Sequence, residues 1–301
     1  MSVSEPAAWP RISVVTPSFR QAQFLETTIL SVLGQCYPNL EYLIMDGGSD
    51  DGSVAIIERY ADQLAHWQSA PDGGQAAAIN QGFARATGDL LCWVNSDDFL
   101  LPGTLRKIAR ELSPSVGRPA LLYGSCFYFR EADSSARILA ARPYDPELLR
   151  ETDYIYQPSS FWTRALWEEI GPLDASLHFG FDWEWYLRAT ARCDFVAWKE
   201  ILSAYRRHPA HKSGSGGERR RQEILSVVRR HGSPTQIRAY ERALQKCGDY
   251  ERRMQLSRRL NEWRVPSAAR LAAWLTPGLW TRPSGVSPEQ WNRCFGMLAS
   301  T

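Results

Sequence analysis

The residues best suited to chemistry in this chain are Asp97 and Asp98, which close the segment Val94-Asn95-Ser96-Asp97-Asp98 after the apolar run Leu90-Leu91-Cys92-Trp93. The apolar run is short and preceded by the turn Thr87-Gly88-Asp89, so Leu90–Val94 reads as a buried strand. A strand that empties into adjacent carboxylates presents hard oxygen ligands at the carboxyl edge of a sheet. Open α/β sheets bind ligands at that edge, and one or two carboxylates there suffice to hold Mg²⁺ or Mn²⁺ against a diphosphate. An isolated Ser-Asp-Asp is more often a solvated turn; the surrounding loops decide between the two.

Three other loops matter. Thr16-Pro17-Ser18-Phe19-Arg20-Gln21 follows a buried strand at Ile12–Thr16, and Asp46-Gly47-Gly48-Ser49-Asp50-Asp51-Gly52 follows a strand at Leu40–Met45. Pro71-Asp72-Gly73-Gly74 follows a short strand at Trp67 and opens a helix over Gln75–Ala86, with Asn80 and Gln81 one to two turns in. A carboxylate such as Asp46 can accept hydrogen bonds from a base or ribose while glycine lets a ligand approach the backbone. A helix start behind glycine suits phosphate. Taken singly, each has a plainer reading, Ser49 or Asp50 as the N-cap of the next helix and Pro71–Gly74 as an ordinary turn.

The elements that would position these loops alternate strand and helix, with helical spacing over Gln21–Leu33 and Val54–Leu64. This β-α-β-α order predicts an α/β fold with a parallel, doubly wound sheet. All four loops then open on one edge. The first loop has no GxGxxG and the chain has no GxxxxGK[ST], which argues against a dinucleotide-dependent dehydrogenase and a P-loop NTPase.

The later chain predicts a helix over Pro102–Leu112, strands at Ala120–Tyr128 and Ile138–Ala141 as a hairpin, and helices at Arg164–Ile170 and Asp182–Arg192. Strands at Phe195–Trp198 and Leu202–Arg206 precede a Gly/Ser-rich break over His208–Gly217. Helices are expected at Glu218–His231, Thr235–Gln245, Tyr250–Trp263, Ala268–Leu275 and Pro288–Leu298. The expected division is a catalytic domain over residues 1–215 and a basic, mainly helical extension over 216–301.

With 301 residues and 44% hydrophobic content, the chain can bury a sizeable core. Its six cysteines (36, 92, 126, 193, 247 and 294) form no CxxC pair, so reduced thiols in a cytoplasmic protein are expected rather than bridges or a zinc site. The N-terminal residues lack the pattern of a signal peptide, and no apolar stretch approaches the roughly 20 residues of a membrane span. Charge is uneven: residues 1–217 carry 19 Lys and Arg against 26 Asp and Glu, whereas 218–301 carry 16 against 7. An acidic first part agrees with a cation site. The basic tail, with Arg258-Arg259-Leu260-Asn261-Glu262-Trp263 and Arg270-Leu271-Ala272-Ala273-Trp274-Leu275, suits peripheral docking on an anionic membrane rather than nucleic acid. Packing on the catalytic domain or on a second subunit as a homodimer, with arginines outward, is the competing expectation.

As an ordered set, Ile12–Phe19, Met45–Gly52, Pro71–Gly74, Ala78-Ile79-Asn80-Gln81-Gly82, Ala86–Asp89, Asn95–Asp98 and Pro102–Leu105 resemble the family 2 glycosyltransferases, inverting enzymes of GT-A fold. The resemblance spans roughly residues 11–210 and does not reach 218–301. It implies that Asn95-Ser96-Asp97 stands at the family's DxD position, with Asn95 and Asp97 at the nucleotide-sugar and Asp97 and Asp98 at a divalent Mn²⁺ or Mg²⁺. Thr16, Pro17 and Phe19 would line the base pocket, and Asp46 would meet the nucleoside, with Asp72, Gly74 and Asn80 also at the donor.

The resemblance extends to Gly180-Phe181-Asp182-Trp183-Glu184-Trp185-Tyr186-Leu187-Arg188, which matches the family's acidic motif. It implies Asp182 as general base, with Glu184 in reserve. Gln157-Pro158-Ser159-Ser160-Phe161-Trp162 resembles the segment beside the acceptor site, and Trp162, Trp183 and Trp185 could stack on an acceptor sugar. Tyr205-Arg206-Arg207-His208 resembles a late motif near the diphosphate, giving Arg206 to phosphate and His208 to the metal.

The implied activity is transfer of a sugar from a nucleotide-sugar, with UDP favoured over GDP or dTDP, to a saccharide or lipid-linked acceptor in surface polysaccharide or glycolipid assembly. The implied place is the cytoplasm or the inner face of the membrane. Gly47, Ala77 and Asn95 stand where related sequences commonly carry acids. They motivate the alternative of a non-catalytic nucleotide-sugar or glycan-binding homologue. A nucleotidyltransferase is a third reading, weakened by the absence of a Gly-rich basic signature after the first strand.

Overall fold

The computed structural model describes residues 8–209, 212, 216–262 and 282–298. Nine strands among them form one mixed sheet in the order β3-β2-β1-β4-β8-β6-β9-β5, with β7 paired to β6. These are β1 (Ile12–Ser18), β2 (Leu40–Asp46), β3 (His66–Ser69), β4 (Leu90–Trp93), β5 (Phe99–Leu100), β6 (Leu121–Arg130), β7 (Ala136–Leu139), β8 (Ser160–Thr163) and β9 (Phe195–Arg207). β3, β2, β1 and β4 run parallel, so the four expected loops do share one edge. Beyond β4 the sheet turns mixed: β8 is antiparallel to β4 and β6, β9 is parallel to β6, and β5 is antiparallel to β9.

The helices of this α/β part are α1 (Ala22–Leu33), α2 (Ser53–Glu58), α3 (Gln75–Arg85), α4 (Thr104–Leu112), α6 (Arg164–Ile170) and α7 (Phe181–Ala189). The apolar stripe Leu25, Ile29 and Val32 of α1 is fully buried with Ile12, Val14, Ile44, Leu90 and Cys92 of the central strands. Each such side chain contributes about 1.5–3 kcal/mol by leaving water. On α3 a glycine sets the spacing: a Cβ at Gly82 would meet Val15 Cγ1 at 2.5 Å, so only glycine lets this helix lie so close to β1.

Three differences from expectation have local causes. Phe195–Trp198 and Leu202–Arg206 are one strand, β9, carried past a register shift opposite Tyr123–Cys126. A Cβ on Gly124 would sit 2.4 Å from Leu202 Cδ1, so the glycine admits the irregularity. The expected helix over Val54–Leu64 stops at Glu58 and resumes as one 3₁₀ turn, Ala61–Gln63. Strands β5 and β8, two and four residues long, are too short to show a period.

The chain divides into two compact units, residues 1–144 with 154–209, and residues 145–153 with 210–301. The second contains α5 (Pro146–Glu151), α8 (Gly217–His231), α9 (Pro234–Gln245), α10 (Cys247–Glu262) and α11 (Pro288–Leu298). The helix α5, unforeseen in the sequence, belongs to it: Tyr240 Oη donates to Glu151 O at 2.6 Å, and the Glu151 carboxylate accepts from Gln290 and Arg293. Tail arginines also pair within the unit, Arg219 with Glu223, Arg229 with Glu241 and Arg221 with Glu251. The helix expected at Ala268–Leu275 lies outside the described residues. Among the described residues no helix is long and apolar enough to cross a membrane.

Candidate active site at the carboxyl edge of the sheet

The Asn95–Asp98 turn is braced from three sides. Thr28 Oγ1 of α1 donates to Ser96 O (2.9 Å) and Asp98 O (2.7 Å). Antiparallel pairing of β5 with β9 aligns Phe99 with Ala204 and so lays Arg206 and His208 along the turn. His208 Nε2 reaches Asp97 Oδ2 at 3.1 Å, and the His208 ring packs on Phe24 with centroids 4.4 Å apart. Asp97 keeps 16% of its side-chain surface exposed, which leaves this carboxylate presented at the edge.

Asp98 differs. It is 1% exposed, and its oxygens accept from Arg206 N (3.0 Å) and Asn95 Nδ2 (3.2 Å). Burial, then the neighbouring Asp97 charge, pushes its carboxyl well above the usual range, against those two donors. Asp98 is thus the inward-turned acid of the pair, and Asp97 the more exposed one. Asn95 likewise serves the turn, accepting from Gln75 Nε2 (2.7 Å) and donating to Gln157 Oε1 (3.2 Å), while Gln157 Nε2 donates to Trp93 O (2.9 Å). An aspartate at position 95 would set a third carboxylate against Asp98.

Arg206 was expected at phosphate, but its guanidinium is committed elsewhere. Nε donates to Asp97 O (3.0 Å), Nη1 pairs with Glu131 (2.7 Å), and the Phe24, Phe99 and Phe129 rings surround it at 4.7, 5.7 and 5.1 Å. This cation–π cage fixes the turn rather than a ligand.

At the donor edge Phe19 is 54% exposed, whereas Thr16 and Pro17 are buried and Thr16 Oγ1 bonds Tyr42 Oη at 3.0 Å. Arg20, in a left-handed conformation (φ 53°), binds Asp50 and steadies the loop behind Phe19. Asp46 is 1% exposed and spends its carboxylate on its own loop. Oδ2 accepts from Gly48 N (3.1 Å), Ser49 N (2.8 Å) and Ser69 Oγ (2.7 Å), and Oδ1 from Ser49 Oγ (2.6 Å). It shapes the loop instead of facing a nucleoside.

Asp72 is the acid that remains presented there. Its Oδ1 accepts from Gly74 N at 2.7 Å, where Gly74 holds φ 113°. Its Oδ2 lies 3.0 Å from where a Cβ on Gly47 would be, with Phe19 Cδ2 at 3.2 Å. The space a side chain at position 47 would occupy is thus bordered by Phe19 and the Asp72 carboxylate.

Asp182 lies half-buried in the first turn of α7, where its Oδ1 accepts from Trp183 N at 2.9 Å. Phe181 packs against Trp93 with centroids 6.3 Å apart, which sets the start of α7 beside the end of β4. Glu184, the reserve base, is 4% exposed and holds Arg188 Nε with both oxygens (3.1 and 3.0 Å). Trp162, Trp183 and Trp185 are all fully buried, and Trp162 packs on Trp185 at 4.8 Å within a cluster with Phe83 and Trp167. They are core, which corrects their expected place under an acceptor sugar. Asn80, expected at the donor, exchanges two hydrogen bonds with the backbone of Leu173.

The donor set of Asp97 and His208, one carboxylate and one imidazole, suits Mn²⁺ or Mg²⁺ whose other ligands come from phosphate and water. Among the described residues no three His, Cys, Asp or Glu gather around one point, so those other ligands are needed. Glu131 carried no signal in the sequence, nor did the bonds that Gln75 and Gln157 make to Asn95. Nothing in a lone glutamine signals that it will join a turn 20 or 62 residues away.

Comparison with known proteins gives the family and the fold. Residues 13–132 match the model of glycosyl transferase family 2. An uncharacterized glycosyltransferase of Mycobacterium tuberculosis H37Rv is 31% identical over 226 residues, 74% of this chain and 83% of that one. The chain belongs to glycosyl transferase family 2. The uncharacterized Bacillus subtilis glycosyltransferase YwdF is 27% identical over 74% of this chain and 84% of its own length.

Solved structures share the fold at lower identity. Staphylococcus aureus TarS, residues 1–349 in complex with UDP-GlcNAc, has TM-score 0.57 and 17% identity over 72% of this chain and 64% of that one. The Pyrobaculum calidifontis mannosyltransferase PcManGT, in complex with GDP-Man and Mn²⁺, has TM-score 0.58 and 17% identity over 98% and 86%. The expected GT-A fold is thereby shown, in a chain whose family is that of the glycosyltransferases.

Proposed function

We propose that this glycosyltransferase is metal-dependent and inverting, and that it moves a sugar from a nucleotide-sugar to a saccharide or lipid-linked acceptor. The observation that carries this reading is the 3.1 Å contact of Asp97 with His208 at the end of β4, on the sheet edge that also carries the loops of Phe19 and Asp72. Phe19 offers a face for the base. Asp72 Oδ2 can accept from the imino N–H of uracil, thymine or guanine, a group that adenine and cytosine lack. UDP is favoured, and the donors held by TarS and PcManGT support a nucleotide-sugar in general.

Asp97 and His208 would hold a divalent ion, which when bound neutralises the diphosphate as it leaves. Asp182 takes the proton of the acceptor hydroxyl as that oxygen attacks the anomeric carbon from the face opposite the diphosphate. The new C–O bond forms as the bond to the diphosphate breaks, and the configuration inverts. The basic second unit suits docking at an anionic membrane surface, where lipid-linked acceptors of surface polysaccharide or glycolipid assembly are found.

Incubation with UDP-, GDP- and dTDP-sugars, in Mn²⁺ or in EDTA, tests this through release of the nucleoside diphosphate. Metal-dependent release from one donor, lost in Asp97→Ala, is expected. Nucleotide binding without release in the presence of saccharide and lipid-linked acceptors would favour a non-catalytic homologue.

A further inference from the structure

Between α6 and α7 the chain passes through Ile170-Gly171-Pro172-Leu173, and side chains hold all four carbonyls of this segment. Arg188 donates from Nη1 to Ile170 O and from Nη2 to Pro172 O (2.7 Å). Trp185 Nε1 donates to Gly171 O (3.0 Å). Asn80 Nδ2 donates to Leu173 O (2.9 Å), and its Oδ1 accepts from Leu173 N (3.0 Å). Backbone groups of a connecting loop are ordinarily met by water or by other backbone. Here four in a row are met by two helices.

The clamp is itself held. Glu184 locks Arg188 Nε with both carboxylate oxygens, and Trp185 is fully buried among aromatic rings. Gly171 leaves α6 in the left-handed region (φ 79°), and Leu173 is 2% exposed. The two helices that supply the donors are the two that carry the proposed site. α3 starts directly after Asp72 and Gly74, and Asn80 lies further along it. α7 starts at Phe181, so Asp182 lies in its first turn, with Trp185 and Arg188 about one and nearly two turns beyond Asp182.

We infer that Asn80 and Arg188 are positioning residues: by clamping Ile170–Leu173 between α3 and α7 they fix Asp182 relative to the donor edge. This rests on the reading of Asp182 as the base. A guanidinium fork spans two carbonyls and a carboxylate at once, which a lysine ammonium on a flexible stem does not. Asn80 both donates and accepts, which an aspartate cannot do. A base displaced by about 1 Å can cost up to ~100-fold in rate without loss of substrate binding.

The test uses the full-length variants Asn80→Asp, Arg188→Lys and Asp182→Asn, and the doubles with Asp182→Asn. Turnover is read as nucleoside diphosphate release from whichever UDP-, GDP- or dTDP-sugar supports it. UDP and GDP affinity in Mn²⁺ is read by calorimetry, and amide hydrogen exchange over residues 171–184 by mass spectrometry. Expected are a fall in turnover of about tenfold or more for each clamp variant, nucleotide affinity within about twofold, and faster exchange confined to 171–184. In the Asp182→Asn background the clamp variants should cause no further fall, because they act through that carboxylate.

Unchanged exchange over 171–184, unchanged turnover, an equal loss of nucleotide affinity, or full additivity with Asp182→Asn would overturn the clamp. Normal turnover in Asp182→Asn would instead remove the base reading on which it rests.

Discussion

Carboxylates of one chemical type do different work here according to their partners. Asp97 and Asp72 present oxygen atoms at the ligand edge, whereas Asp46, Asp98 and Glu184 are each buried with their oxygens engaged by donors. Position at a strand end was readable in the sequence, and the four loops do lie on one sheet edge. Which acid turns inward was not, because that depends on Ser69, Arg206 and Arg188, partners 23, 108 and 4 residues away. Two variants separate the roles. Glu184→Gln should lower stability by ~1–3 kcal/mol in denaturant unfolding, since it takes the charged, buried acceptor away from the half-buried Arg188 guanidinium. Asp182→Asn should leave stability within ~0.5 kcal/mol and lower turnover by about 10²–10⁴-fold, to a residual rate that can still be measured. At the donor edge, Asp72→Asn should weaken UDP binding about tenfold in calorimetry, by putting an amide where a charged acceptor is proposed.

At the scale of elements, the four parallel strands and their loops were legible because buried strands read as apolar runs and the turns carry glycine and acids. The mixed half of the sheet was less so: β8 is Ser-Phe-Trp-Thr, too short to show a period, yet it joins β4 to β6. The amino ends of β1 and β2 are tied by Glu41, which accepts from Ser13 Oγ (2.5 Å), Thr87 N (2.6 Å) and Thr87 Oγ1 (2.8 Å) and pairs with Arg11 (3.0 Å). Burial pushes its carboxyl up, but these hydrogen bonds and the Arg11 charge outweigh it and hold the group below its usual value. A lowered folded pKa means stability fully present above the unfolded value of about 4.3 and lost as pH falls through the folded one. Glu41→Gln should therefore cost ~1–3 kcal/mol at pH 7, with the difference from the parent protein shrinking as the pH drops below about 4. Denaturant midpoints at the two pH values measure it.

For the whole molecule, C-terminal helices are present as the sequence predicts, but it gives no sign of the short helix α5, which precedes the last strands of the α/β unit and belongs to the second unit. Sequence order hides such an excursion, because Pro146–Glu151 is a six-residue helix whose partners lie 89 and 142 residues away. Intra-unit pairing of Arg219, Arg221 and Arg229 spends part of the tail's excess of 16 basic over 7 acidic residues. The remaining charge should retain the full chain on anionic vesicles in a flotation assay at low salt. It should be released near 1 M salt, where screening acts within about 3 Å, and should not bind zwitterionic vesicles.

The central claim is that Asp97 and His208 hold a divalent ion against the donor diphosphate. Calorimetric titration of UDP and GDP with and without Mn²⁺ tests it most directly. The expected result is at least about tenfold tighter binding of one nucleotide with the ion, with that gain lost in Asp97→Ala. Equal affinity with and without Mn²⁺, or a gain that survives Asp97→Ala, would contradict it.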